Sequence, residues 1–348
     1  MRMIDRFRLA RARQRFMQPR ASHTGILAAA ATLLALSVVA VTVLEHRGGG
    51  RELAIADYVR ARQLDPMAAI DEGFRTHRWL LLGDIAGAAA PKAFAADVIA
   101  FLARGPGLDV VALEVGSDLQ PFIDRYLEAE PEDAGPLLTN PRTLRQMDGN
   151  TSAYLGLYRR VWHLNRELAA DRRIRIVAMD EPGWPPERAL SPARLLPVLE
   201  QREQHMLEAI DGRIIRRDES AAILFFVDGL HTLRADLRLE TGGAVSRTSP
   251  LLAARLQAYR PGRVFSVIVD ASPTGAPVLY IPALRPGRLY QLTRRSAANS
   301  PLGLPLTRDF PALASDLAIA SPPGLDVAIT PSDTRLSAIA DLYVRVPW

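Results

Sequence analysis

The chain has 348 residues, 48% of them hydrophobic, enough for one sizeable core and against wholesale disorder. The net charge of +5 is not a nucleic-acid footprint: residues 1–20 hold seven arginines against one aspartate, so the other 328 residues sum to −1. The absence of cysteine excludes disulfides, thiolate metal sites and cysteine nucleophiles. Lys92 is the sole lysine, and the many arginines of the body read as a coding bias rather than a binding surface.

Residues 25–44, "GILAAAATLLALSVVAVTVL", carry no charge. At ~1.5 Å per residue such a helix spans the ~30 Å of a bilayer core. The arginine-rich flank predicts a cytoplasmic tail over 1–24, an uncleaved signal anchor over 25–44, a linker over 45–52 and an extracytoplasmic α/β domain over 53–348. The expected location is a single pass through the inner membrane, with the domain in the periplasm of a Gram-negative cell. A cleaved signal peptide is the competing reading, because "VVA" at 38–40 resembles a cleavage site.

Further along the chain, 53–76 reads as two helices broken at Pro66, and "WLLLGD" as a first strand over 79–83. A helix over 90–103 is followed by a strand over 108–115, a helix over 116–127 and an acidic, Pro-rich loop to 150 with a short helix near 141–147. Thr151 can cap a helix running to 171. A strand over 174–180 leads to a long helix with Ser191 as cap and Pro192 at its first position. Strands follow at 221–229 and 263–271, with a helix at 250–259 between them. "PVLYIP" at 277–282 reads as an edge strand, and a loop-rich tail ends in a strand within 340–348. This alternation predicts an α/β fold: a mostly parallel central sheet with helices on both faces, preceded by one transmembrane helix.

Acids stand at the predicted strand ends: Asp84, Asp180 with Glu181, Asp228 and Asp270, joined by His231 in "DGLH". Open α/β sheets bind ligands at that edge, although an acid after a strand also serves as a helix cap. Glu114 differs, because it interrupts the apolar run "VVALEVG", where a buried carboxylate must be paired or perturbed. His163 reads as structural, His77 and His205 as surface positions. Nucleophile elbows, phosphate loops, HExxH and GxGxxG are all missing from the sequence.

The order of "GDIAG", "VVALE", "RIRIVAMD" and "FFVDGLH" resembles the erythromycin esterase-like, ChaN-like and TIKI/TraB-like superfamily over roughly 55–348. The resemblance implies a hydrolase-type site. Its first Gly-Glu-x-His element falls on Asp84 and Ala86, its strand Glu on Glu114 and its second-element His on His231. Ala86 stands where the family's base or metal-ligating His would be, so the expectation is a degraded site with weak or altered hydrolysis. Glu114 would be its base, His231 its acid or electrophile, Asp84 its orienting group, and Asp180 a fourth candidate. Asp84, Glu114 and His231 could hold a divalent metal. The alternative is a non-catalytic binder of haem or metal on the same scaffold, with Tyr154, Tyr158 or His163 as iron ligands, although core packing explains those three equally well. A small molecule or peptide is the expected ligand, and nucleic acid is not.

Overall fold

The computed structural model describes residues 50–147, 150–184, 191–241, 245–271, 283–285, 287–295, 300–321, 326–331 and 333–347. The expected anchor at 25–44 and the expected edge strand at 277–282 lie outside them. Among the described residues no helix is long and apolar enough to cross a membrane.

Helix α1 covers 50–62 and α2 covers Pro66–His77. The break falls at Pro66, and Asp65 accepts from the Met67 amide to cap α2. Strand β1 (Trp79–Asp84) is buried throughout, as its unbroken apolar run requires. It turns at Ile85–Ala88, where Gly87 takes φ 77°, a left-handed conformation suited to glycine. The chain continues through α3 (Ala90–Arg104), β2 (Val110–Gly116), α4 (Gln120–Glu128), short α5 (Gly135–Leu138) and α6 (Pro141–Gln146), α7 (Thr151–Glu167) and β3 (Arg175–Asp180). Next come α8 (Pro192–Ile210), a π-helical turn at Asp211–Ile215, β4 (Ile223–Asp228) and a single 3₁₀ turn at Gly229–Thr232. The remainder holds β5 (Asp236–Thr241), β6 (Val245–Pro250), α9 (Leu252–Tyr259), β7 (Val264–Asp270), β8 (Ala283–Arg285), α10 (Arg288–Arg294), β9 (Leu302–Pro305), β10 (Ala318–Ala320), β11 (Asp326–Thr330), α11 (Leu336–Ile339) and β12 (Leu342–Arg345).

The main sheet has the order β3-β2-β4-β1-β7-β12-β9. Its first six strands are parallel and β9 runs antiparallel to β12. Strand residues alternate between two cores. Leu80, Leu82, Leu224 and Phe226 face the side covered by α2, α3 and α7. Trp79, Leu81, Ile223 and Phe225 face the side covered by α8 and α9. Helices thus lie on both faces, as expected.

After β1 the chain passes through α3 on one face to β2. After β4 it passes through α9 on the other face to β7. The β1/β4 boundary is therefore the topological switch, where the carboxyl ends open a crevice. Asp84 and Asp228 are register partners there.

Three local expectations are corrected. Neither Ser191 nor Thr151 makes a side-chain cap: Ser191 is the N-cap without the bond, and Thr151 is already the first helical residue. The sheet β11-β5-β6 was not predicted, because β5 and β6 are rich in Arg, Ser and Thr rather than apolar. His77 and His205 are half-buried, and His205 Nε2 lies 3.4 Å from Ser117 Oγ.

Candidate functional site

Strand β2 slips register between Leu113 and Gly116, taking three steps where β3 takes two from Ala178 to Asp180. One extra residue in a strand is a bulge, which re-aims side chains. Glu114 lies in it. Its Oε2 accepts from the Asp228 amide at 2.6 Å, and its Oε1 accepts from Arg202 Nη2 at 2.7 Å.

Arg202 comes from α8 and is buried. Its Nε and Nη2 hold the two oxygens of Asp180 at 3.0 and 2.6 Å, and its guanidinium carbon sits 3.9 Å from the Trp184 ring centre. One cation thus binds two carboxylates from neighbouring strands. Burial alone would lower the Arg202 pKa, but Asp180 and Glu114 hold it above its ordinary value. Burial pushes the Asp180 carboxyl up despite Arg202, and the charge on Glu114 adds to that. Glu114 goes the other way: burial is overcome by His231 and Arg202, which hold its carboxyl far below the ordinary range.

His231 sits in the 3₁₀ turn after β4. Its Nε2 is 3.3 Å from Glu114 Oε1 and its Nδ1 is 2.8 Å from Glu203 Oε1. The Nδ1 contact is close but poorly directed for a hydrogen bond, so it is an ionic contact. Burial opposes the positive charge, yet Glu203 and Glu114 raise the imidazole well above its ordinary pKa, making it an imidazolium at neutral pH.

Asp84 forms a separate knot. Its Oδ1 accepts from fully buried Lys92 Nζ at 2.8 Å and from the Ile85 amide at 2.8 Å. Its Oδ2 accepts from Tyr154 hydroxyl at 3.1 Å, and the Tyr154 ring centre lies 4.9 Å from Lys92 Nζ. Burial raises the Asp84 carboxyl against the pull of Lys92.

Of the four residues singled out for catalysis, the structure joins Glu114, Asp180 and His231 in one network and ties Asp84 to a different cation. The expected metal set does not assemble: Lys92 takes Asp84, Arg202 takes Glu114, and among the described residues no group of three His, Asp or Glu is placed for a metal ion. The three candidate haem ligands are not gathered into a site. Tyr154 serves Asp84, Tyr158 packs edge-on against Tyr126, and His163 is exposed beside Trp162.

Three residues of these networks escaped the sequence reading, Lys92, Arg202 and Glu203, and Tyr154 was singled out only as a possible iron ligand. A lone lysine on an otherwise apolar helix face was the one available signal for Lys92. Arg202 looked like any helix-surface arginine.

Asp228 is the group that stands out. It is half-buried, its Oδ1 caps the Leu230 amide at 2.9 Å, and its other oxygen has no hydrogen-bond partner among the described residues. Burial and the charge of Glu114 push its pKa up to about 7, against the opposing charge of His231. A carboxyl that changes state near neutral pH, at the sheet's switch point, can accept a proton from water.

Fold and site define an α/β protein with a buried network of carboxylates, an arginine and a histidine at the carboxyl ends of a parallel sheet. No protein-family model matches the sequence, and no curated protein sequence does either. Solved structures do match. A mutant of the erythromycin esterase EreC in its open conformation is 13% identical, covering 80% of this chain and 92% of its own, with a TM-score of 0.51. A Bacillus cereus protein is 10% identical, covering 85% and 97%, with a TM-score of 0.54. A succinoglycan biosynthesis protein is 8% identical, covering 84% and 96%, with a TM-score of 0.57. The chain has the erythromycin esterase fold.

Proposed function

We propose that this chain is a membrane-tethered periplasmic hydrolase of weak, altered activity, in which Asp228 has become the proton acceptor. The observation that carries this is the half-buried Asp228 carboxyl beside Glu114 at the sheet's switch point, its pKa pushed up to about 7 by burial and by the Glu114 charge. Glu114, the base expected from the superfamily resemblance, is too weak a base when Arg202 and His231 depress it so far. Asp228 takes a proton from water as its oxygen attacks a substrate carbonyl; the tetrahedral adduct then collapses, its bond to the leaving oxygen breaks, and Asp228 returns the proton to that oxygen. Both ring nitrogens of His231 are taken, by Glu114 and Glu203, so it offers the oxyanion that develops a nearby positive charge rather than a hydrogen bond. Activity is weak because Ala86 supplies no imidazole, and a positioned base is worth ~10²–10⁴ in rate.

The test is hydrolysis of an activated phenyl ester by the full chain in detergent as a function of pH. The rate is expected to rise through about pH 7 as Asp228 ionises. Asp228→Asn is expected to lower it by about 100-fold and flatten the profile. A wild type without turnover, or an Asp228→Asn variant with an unchanged profile, rejects the hydrolase reading.

The tether rests on the charge-free 25–44 segment and its arginine-rich flank. Alkaline phosphatase fused after residue 348 is expected to be active in a Gram-negative host. An inactive phosphatase fusion, with a cytoplasmic reporter active at the same place, would show the opposite orientation.

A further inference from the structure

A groove of about 750 Å³ runs along the open edge of β3 and reaches Ser117 and Asp118, just after β2. Its two sides carry opposite charge. Arg213 and Arg217, from the π-helical turn after α8 and the bend that follows, line it together with Arg173 and Arg175 at the start of β3. Asp124 and Glu128 line it from α4.

The four arginines have no carboxylate in ion-pair contact among the described residues. Arg175 Nη1 donates to the Arg213 carbonyl at 3.4 Å, and Arg213 Nη1 donates to the Ala178 carbonyl at 3.0 Å. Burial and the neighbouring Arg217 charge pull the Arg175 pKa down, and the more distant Asp109 and Asp218 offset this only in part. Like charges held together by backbone carbonyls raise the energy of the free protein, and an anion relieves it. The remainder of the body is nearly neutral, so the cluster is local and not a by-product of overall charge.

The floor of the groove excludes one mode of binding. Strand addition needs free backbone groups. Asn165 pairs with both the amide and the carbonyl of Ile174, at 2.7 and 2.9 Å. Gln120 accepts from the Ala178 amide and donates to the Ile176 carbonyl, both at 2.8 Å. Two side-chain amides thus take the place of a neighbouring strand. A ligand must therefore be read through its charges.

We infer that this groove binds a short peptide with separated charges, its acidic groups against Arg173, Arg175, Arg213 and Arg217 and its basic groups against Asp124 and Glu128. An anionic lipid surface suits it poorly, because the α4 side would repel it.

The test is fluorescence polarisation with the full chain in neutral detergent. The probes are three labelled eight-residue peptides: glutamates followed by lysines, glutamates only, and lysines only. Anionic phosphatidylglycerol vesicles are the fourth arm. The mixed peptide is expected to bind saturably, at least tenfold tighter than either single-charge peptide, and to weaken with added salt. The exposed pair Arg173→Gln/Arg217→Gln is expected to weaken it at least tenfold, and Asp124→Asn/Glu128→Gln likewise, with the melting temperature unchanged. Arg104→Gln, a charge change on α3 outside the groove, is the control. Absent binding of the mixed peptide, or equal affinity in the Arg173/Arg217 variant, overturns the inference. Vesicles that displace the peptide and bind more tightly would assign the groove to lipid and overturn it too.

Discussion

Arg202→Met is expected to destabilise the protein by about 3–5 kcal/mol, the cost of leaving one side of a buried ion pair uncompensated. That is a large share of the ~5–15 kcal/mol that holds a typical domain together. Asp180 is fully buried and the Glu114 side chain is only 12% exposed, so water cannot replace the guanidinium. The same reasoning predicts a rescue. Adding Asp180→Asn and Glu114→Gln to Arg202→Met removes both stranded charges and is expected to recover most of the loss, as neutral replacements of buried ion networks often do. Urea denaturation of wild type, single and triple variants measures both effects. A single variant within 1 kcal/mol of wild type would show that the triad is solvated and carries little of the fold. A triple variant no better than the single would show that shape, not charge, is what Arg202 supplies.

Asp270→Asn is expected to make the protein more stable at pH 8 and close to neutral in effect at pH 4. Asp270 ends β7, is buried, and accepts from Tyr343 hydroxyl at 2.8 Å, while its Oδ1 is buried with no hydrogen-bond partner. Burial raises its pKa from 3.8 to about 7, against opposing help from Tyr343, the Ala271 amide and Arg345. The folded state therefore prefers the protonated acid. Below pH 4 both states are protonated and nothing is lost. From pH 4 to 7 the unfolded chain ionises first, and folding stability falls as pH rises. The full effect above pH 7 is about 4 kcal/mol, since each pKa unit is ~1.4 kcal/mol. Asparagine does not ionise, so the stability difference between variant and wild type is expected to grow from pH 4 to 8. A difference that stays constant over that range would show that Asp270 is ionised in the folded protein.

Much of the frame was legible because its signals are one-dimensional. The runs at 79–83, 108–115, 174–180, 221–229 and 263–271 are too apolar to be anything but buried, and their spacing leaves room for crossover helices. Glu114 announced itself by interrupting such a run. What the sequence withheld is decided by three-dimensional neighbours. Arg202 and Glu203 occupy adjacent positions on an amphipathic helix, and no periodicity says that both turn inward toward β2 and the turn after β4. Lys92 stood out only as the sole lysine, and its burial against Asp84 follows from how α3 lies on β1. Asp228 appeared as a strand-end acid like the others. Its distinction is electrostatic, created by Glu114 reaching across from the next strand. The hairpin of β5 and β6 was hidden because its strands hold no continuous apolar run: only one face is buried, through Leu237 and Leu239, and polar residues alternate with them.

The bulge in β2 keeps residue 114 out of step with its own strand. Residues 110–113 hold the pairing with β3 and β4 and Gly116 resumes it opposite Asp180; of the two positions between, Val115 packs in the core and Glu114 turns its side chain toward Arg202 and His231. Chemistry and architecture are thereby uncoupled at this one position. What meets that carboxylate, here Arg202 and His231, can therefore change while every strand stays where it is.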